Sequence, residues 1–274
     1  MNLVAGAGGR LGQALMTRVG PEACAVPRAM YRGWAGADKA APAAVDFSAF
    51  PTAPSTIFVC AGLLDPGASA EALHRANVEL PQRLIRAAAP LQARVVTFGT
   101  VMEGIGEVSN PYIESKRVRS RFVESLDDGQ VLHIRLHTLY GGGAPTPFMF
   151  LGQAYAALLA GTPFAMTEGR QLREYHHVDD EADAVIHLAH GDLAEAIVTL
   201  RHGSTLSLRA LATDHFAHLG EPGQLRLGAR PEPPAENFDL SFPPTALPGS
   251  LGYRDSISGV RDYLAGALSE ARNG

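Results

Sequence analysis

The 274-residue chain predicts an α/β fold with a doubly wound parallel sheet, on three observations. Short apolar runs alternate with helix-like segments through the first two thirds, the order that gives a parallel sheet with helices on both faces. Runs such as TIFVCAG are nearly continuously apolar, as strands buried on both sides are. Apolar residues make up 46% and charged residues 19%, so a sizeable core is available.

The elements follow in order. NLVAG reads as a strand and GRLGQALMTRV as the helix after it. ACAV is a second strand, followed by a loop carrying Arg28 and Arg32, then the apolar runs AAVDF and STIFVCAG. EALHRANVELPQRLIRAAA has helical periodicity marked by Leu73, Val78, Leu80, Leu84 and Ile85. ARVVTFGT is a β-branched strand, PYIESKRVRSRFVESL a helix and VLHIRLHTLYG one further strand. Beyond Gly141, GGGAPTP is a loop and PFMFLGQAYAALLAG a helix. REYHHV reads as a strand and DDEADAVIHLAHG as a helix returning to the sheet. Between Arg230 and Gly249, prolines at 231, 233, 234, 243, 244 and 248 leave little regular helix and suit a segment that wraps over a ligand. DSISGVRDYLAGALSEA, capped by Asp255 or Ser256, is a terminal helix.

The bulk numbers exclude several classes. A net charge of −5 argues against a nucleic-acid binder. Cys24 and Cys60 lie in apolar runs outside any CxxC pair and read as reduced core residues of a cytoplasmic protein. No basic, apolar leader pattern opens the chain. The apolar stretch FMFLGQAYAALLAG is broken by Gly152 and Gln153 and is too short to cross a bilayer, so no membrane partner is expected.

LVAGAGGRLGQAL has the order strand, glycine turn, helix. Gly6, Gly9 and Gly12 are spaced three apart, and Gly8 adds a GxG variant. Side chains there would block the tight turn, the approach of backbone to a pyrophosphate, or helix–strand packing. The following helix offers its N–H groups and positive dipole end to phosphate, through Arg10, Leu11 and Gly12. A plain glycine loop is the alternative. The order predicts a Rossmann-type dinucleotide domain over 1–142 and 176–212, with a small C-terminal substrate-binding lobe over 143–175 and 213–274.

An NAD site carries an acidic residue near the end of the second strand. After ACAV stand Pro27, Arg28 and, further on, Arg32. Guanidinium recognises phosphate well, so NADP(H) is favoured, with NAD(H) possible. Arg10 could assist, and solvated loop arginines are the competing reading. Asp46, with Phe47 after it, is a candidate adenine contact.

Tyr112 and Lys116 stand four apart in a helical stretch, on one face about 5–6 Å apart at Cβ. A nearby ammonium lowers the pKa of a phenol from about 10, as a proton donor working at neutral pH requires. A surface Tyr–Lys pair is the bland alternative.

The chain resembles the extended short-chain dehydrogenase/reductases, the NAD(P)-dependent epimerase/dehydratase family, and within it the nucleotide-sugar 4-ketoreductases. GAGGRLG, the strand-end Cys60-Ala61-Gly62, Asn77-Val78, TFGT, Tyr112/Lys116, RLHTLYGGG and REYHHVDD match in family order, and LSLRALA and GVRDYL also fit. The resemblance implies that Cys60, Ala61, Gly62 and Asn77 border the cofactor. It also implies that Tyr112 is the general acid/base and that Lys116 tunes it and holds the nicotinamide ribose. A hydroxyl upstream should bind the substrate oxygen; a gapless match puts Gly99 there, a shift of one puts Thr100, and Thr97 is second. The dehydratase pattern places Asp-Glu after the threonine, whereas this chain has Val101-Met102, with Glu103 the only nearby acid.

On the same match Arg173 grips a nucleotide-sugar pyrophosphate, a task suited to its planar fork. A salt bridge to Asp179 or Asp180 is the equal alternative. Phe148, in PTPFMFLGQ, would line the substrate pocket, and packing is its commoner use. His137 reads as a core histidine. His176 and His177, adjacent on a strand, point to opposite faces, and no third donor at sensible spacing is evident, so no metal is expected.

The expected activity is NADP(H)-dependent reduction of a nucleotide-activated 4-keto-6-deoxy sugar by a homodimer. The alternatives are a 4-epimerase with tightly bound NAD, a reductase of a non-sugar carbonyl, and a non-catalytic NADP-binding regulator.

Overall fold

A computed structural model describes residues 1–36, 43–106, 110–126, 129–192, 195–219, 221–241, 244–248 and 250–273. The elements run β1 (Asn2–Ala5), α1 (Arg10–Val19), β2 (Ala23–Val26), α2 (Arg28–Ala35), β3 (Thr56–Val59), α3 (Ala70–His74), α4 (Leu80–Ala88), β4 (Arg94–Thr100), α5 (Pro111–Glu124) and β5 (Val131–Leu136). Then follow β6 (Thr138–Tyr140), α6 (Phe150–Ala160), β7 (Phe164–Ala165), β8 (Leu172–Arg173), β9 (Tyr175–His177) and α7 (Val178–His190). The chain ends with β10 (Ile197–Thr199), β11 (Leu206–Ser207), α8 (Leu208–His218), β12 (Leu225–Arg226) and α9 (Ser256–Asn273).

The chain divides into two compact units. The first comprises Met1–Leu136 and Glu181–Leu200. Its sheet has the order β10-β5-β4-β3-β1-β2, and every pairing is parallel. Strands β1 and β3 are buried along their whole length, which their nearly continuous apolar sequences anticipate. Leu3, Ile57, Val59, Leu84, Val95 and Val131 are central to the core. Strand order reverses between β1 and β3, so a crevice opens beyond their carboxyl ends, where doubly wound sheets take ligands.

The second unit comprises His137–Asp180 and Arg201–Gly274. Three two-stranded ladders, β6–β9, β8–β11 and β7–β12, accompany α6, α8 and α9. Leu158, Phe164, Phe216 and Leu268 form one apolar cluster, with the Phe164 and Phe216 rings stacked at 5.5 Å. Asp255 caps α9, accepting from the Ser258 amide at 2.8 Å.

Several sequence expectations are corrected. The segment after ACAV is not a loop: Pro27 starts α2, which Gly36 ends in the left-handed conformation. AAVDF forms no strand. The 70–88 helix is interrupted by a π segment at Arg75–Glu79, just before Pro81, whose ring cannot accept a regular turn ahead of it. VLHIRLHTLYG breaks at His137, because β6 leaves the main sheet to pair with β9. REYHHV likewise lies outside the main sheet, and β10 enters it instead. The unit boundaries therefore fall at 136/137, 180/181 and 200/201 rather than at 142, 175 and 212. Pro243 of the proline-rich segment lies outside the described residues; those described from 230 to 248 form no helix or strand. No described helix is long and apolar enough to cross a membrane.

Candidate active site

The glycine turn builds a cradle with no room for side chains. Gly6 has φ +88°, and a Cβ there would meet the Ala61 amide nitrogen at 2.4 Å. A Cβ on Gly12 would lie 2.2 Å from the Gly6 carbonyl oxygen. Gly9 caps α1 with no side-chain hydrogen bond, and no acidic residue occupies the first turn. Gly8 is exposed and its missing Cβ is not needed for space. The Leu11 side chain is buried, so only its backbone could serve a ligand.

A cavity of about 360 Å³ opens at this turn, lined by Gly6, Gly9, Arg28, Arg32, Ala61 and Gly62 together with Cys60 and Arg75. Arg28 also lines an adjoining depression with Gly8 and Gly9. Helix α2 sets Arg28 and Arg32 four apart, one turn above the other. No carboxylate is among the described lining residues. The cradle, the uncapped helix start and the paired guanidiniums fit a dinucleotide. Burial pushes the Cys60 thiol far up, so it is no thiolate.

Asp46 and Phe47 do not join this lining. The Asp46 carboxylate accepts from the Ser48 amide and hydroxyl, both at 2.8 Å, and Phe47 packs edge-on against Trp34 at 6.1 Å. Arg10 does not line the cavity either.

Asn77 stands in the π segment, completely buried. It donates to the Leu63 carbonyl at 2.9 Å and the Ser115 hydroxyl at 3.0 Å, and accepts from the Leu63 amide at 2.8 Å. It thereby ties the loop after β3 to α5.

Asn110 caps α5, with Pro111 at its first position. Tyr112 and Lys116 then fall on one face, the ammonium nitrogen 5.3 Å from the phenol ring centre. Lys116 Nζ donates to the Phe98 carbonyl at 3.0 Å and lies 3.7 Å from where a Gly62 Cβ would stand. Gly62 thus connects the cavity to the lysine. Met102 and Tyr112 pack on Ile105 and Ile113.

The expected lowering of the Tyr112 pKa is not found. Burial raises it to about 12, Arg119 draws it down and Glu103 raises it further. Lys116 is itself held below its ordinary value by burial and by Arg119.

Thr100 caps the 3₁₀ turn Val101–Gly104, its hydroxyl 3.4 Å from the Met102 amide. Thr97 is completely buried and its hydroxyl is committed to His133 Nδ1 at 2.8 Å. At Gly99 a Cβ would fall 2.1 Å from Glu103 Oε1, so the Glu103 carboxylate fills that niche. Glu103 accepts from the Thr100 amide at 2.7 Å, the Ser120 hydroxyl and His133 Nε2 at 3.2 Å. Burial opposes its charge, but these bonds outweigh it and hold the carboxyl at about 2.

Sequence reading passed over Arg119, His133 and Ser115. Arg119 lies three residues beyond Lys116, hence on its face, and donates to the same Phe98 carbonyl. That spacing was a usable signal. His133 reaches Glu103 only through the pairing of β4 with β5, which no local pattern announces.

In the second unit, Arg173 pairs with Glu236 at 2.6 Å, not with Asp179 or Asp180, which face Arg254. Phe148 is exposed. The expectation that His176 lacks companion donors is overturned: Glu174 and His202 bring ligand atoms within 4.8 Å of it and of one another.

A model of the NAD dependent epimerase/dehydratase family matches residues 2–198. Among solved structures, MoeE5 in complex with UDP-glucose and NAD is similar over 99% of this chain and 98% of its own, at 22% identity and TM-score 0.68. RMD from Pseudomonas aeruginosa complexed with NADPH is similar over 98% and 99%, at 15% identity and TM-score 0.75. UDP-N-acetylglucosamine 4-epimerase from Methanobrevibacter ruminantium M1, in complex with UDP-N-acetylmuramic acid, is similar over 99% and 98%, at 14% identity and TM-score 0.73. At these identities the likeness is one of fold. No curated protein matches the sequence significantly. The family match spans the whole glycine cradle, the reversal of strand order beside it and the Tyr112–Lys116 helix, and the chain belongs to the NAD-dependent epimerase/dehydratase family of nicotinamide-dependent enzymes.

Proposed function

We propose that the protein is an NADP(H)-dependent reductase of a nucleotide-activated 4-keto-6-deoxy sugar. One observation carries the reading: a cavity with three arginines, two of them on α2, and no described carboxylate adjoins, at Gly62, the buried Lys116 beside Tyr112. Arg28 and Arg32 suit a 2′-phosphate, and a neighbour of the same fold was solved with NADPH. Neighbours solved with UDP-glucose or a UDP-sugar acid support a nucleotide-sugar substrate.

The cofactor, when bound, supplies hydride. The residues of the chain do the rest. With its pKa raised to about 12, the Tyr112 phenol is protonated at neutral pH, the state a proton donor to a developing alkoxide needs at the outset. Once that proton leaves, the neighbouring Lys116 and Arg119 stabilise the phenolate. Thr100 is the hydroxyl left to orient the carbonyl, since Thr97 is committed to His133. Glu103, enclosed by four hydrogen bonds and 1% exposed, is poorly placed to abstract a proton as a dehydratase would. Arg173 would hold the substrate phosphates by exchanging its Glu236 partner. A homodimer is the expected assembly, checked by sedimentation.

Turnover of nucleotide 4-keto-6-deoxy sugars with NADPH and NADH tests the proposal. NADPH should be preferred, the preference should fall about tenfold or more in Arg28→Ala, and kcat should drop about 10²- to 10⁴-fold in Tyr112→Phe. Co-purification of tightly bound NAD with reversible C4 inversion would transfer the chain to the epimerases. Unchanged function in Tyr112→Phe would favour a non-catalytic regulator.

A further inference from the structure

The second unit holds a group of metal-type donors that the nucleotide chemistry does not use. Glu174, between β8 and β9, and His176 on β9 are completely buried. The side chains of His137 and His202 are 5% and 7% exposed. Glu174 Oε2 lies 3.1 Å from His176 Nε2, 3.7 Å from His202 Nδ1 and 3.9 Å from His137 Nε2. A tetrahedral zinc ion with bonds of about 2.0–2.1 Å sets neighbouring donors about 3.4 Å apart. The His176 and His202 separations bracket that value, and the ligand atoms of Glu174, His176 and His202 all lie within 4.8 Å of one another; His137 flanks this group at the longest distance from the carboxylate.

The surroundings orient these groups. His202 Nε2 is 3.0 Å from the Ser256 hydroxyl and 3.4 Å from the Tyr175 carbonyl. A proton held there leaves the lone pair on Nδ1, the nitrogen facing Glu174, and an outer hydrogen bond of this kind is what fixes a metal-bound imidazole. Glu174 is steadied through Oε1 by the Thr205 hydroxyl at 3.2 Å and through Oε2 by the His202 amide at 3.0 Å. The Ser204 amide donates to His202 Nδ1 at 2.9 Å, a turn bond that a metal would replace. His202 and Ser256 also line a cavity of about 400 Å³, which offers an entry path.

We propose that Glu174, His176 and His202 bind one divalent transition-metal ion of the zinc class, with His137 moving in from its flanking position as the fourth donor. Three imidazoles and a carboxylate suit zinc rather than magnesium or calcium, which prefer all-oxygen sites. Four protein donors with almost no exposure leave no open position, so the ion is structural. It staples β9 to the 201–205 segment and to His137 ahead of β6. The site is independent of the reductase reading.

The test uses the untagged full-length chain, stripped with a chelator, given one equivalent of Zn²⁺, desalted and measured by elemental mass spectrometry. About one zinc per chain should remain, and zinc should raise the melting temperature. His176→Ala and Glu174→Gln should lose the ion, while His218→Ala, at an exposed His–Asp pair on α8, should keep it. If the cluster variants fail to fold, the visible spectrum of the Co²⁺-loaded wild type decides: intense tetrahedral bands support the site, and the weak spectrum of hydrated cobalt overturns it. Negligible zinc on the wild type, or full retention by folded His176→Ala, also overturns it.

Discussion

Burial governs the chemistry of individual residues more than charge pairs do. Tyr112 and Lys116 sit as helical spacing requires, yet desolvation heads the causes that move both of their pKa values. Because the Tyr112 pKa is raised from 10 to about 12, its contribution to stability is present below pH 10 and is lost as pH climbs toward 12. Glu103 behaves oppositely. Its carboxyl is lowered from 4.5 to about 2, so its contribution is present above pH 4.5 and disappears as pH falls toward 2. Glu103→Gln leaves Ser120, His133 and the Thr100 amide without their anion. The variant should be about 3 kcal/mol less stable at neutral pH, and its denaturation midpoint should change less between pH 5 and 2 than that of the wild type. Chemical denaturation across that range measures both effects.

At the scale of elements, the turn between β1 and α1 is the most demanding joint. Gly12→Ala puts a methyl 2.2 Å from the Gly6 carbonyl, so α1 must move away from β1. Overpacking of this kind costs about 1–3 kcal/mol, read as a lower melting temperature, and dinucleotide affinity should fall with it. The same joint explains why the glycine spacing is legible in the sequence: Gly6 and Gly12 meet within six residues of each other, although Gly6 also abuts the distant Ala61. The choice between Thr97 and Thr100 was not legible. Thr97 pairs in register with His133, 36 residues away, and that pairing alone commits its hydroxyl. Helix α2 carries a weak pattern because it is short and contains Gly33, although Pro27 at its start and Gly36 at its end are local signals of its bounds.

For the whole molecule, ligand binding should appear as stability. If NADPH binds the folded first unit alone, a concentration 100 times the dissociation constant adds about 2.7 kcal/mol. The melting temperature should rise with NADPH concentration, rise less with NADH, and lose most of the difference in Arg28→Ala; thermal scans with the two nucleotides check this.

The strand–helix alternation, the glycine turn, the four-residue Tyr–Lys spacing and the absence of an acid after β2 are local properties, and the sequence alone determined them, together with the family. Which hydroxyl stays available, which carboxylate holds Arg173, and how Glu174 meets His137, His176 and His202 were decided only by tertiary structure. Those contacts join residues that are distant along the chain, and only strand pairing, burial and packing set their distances.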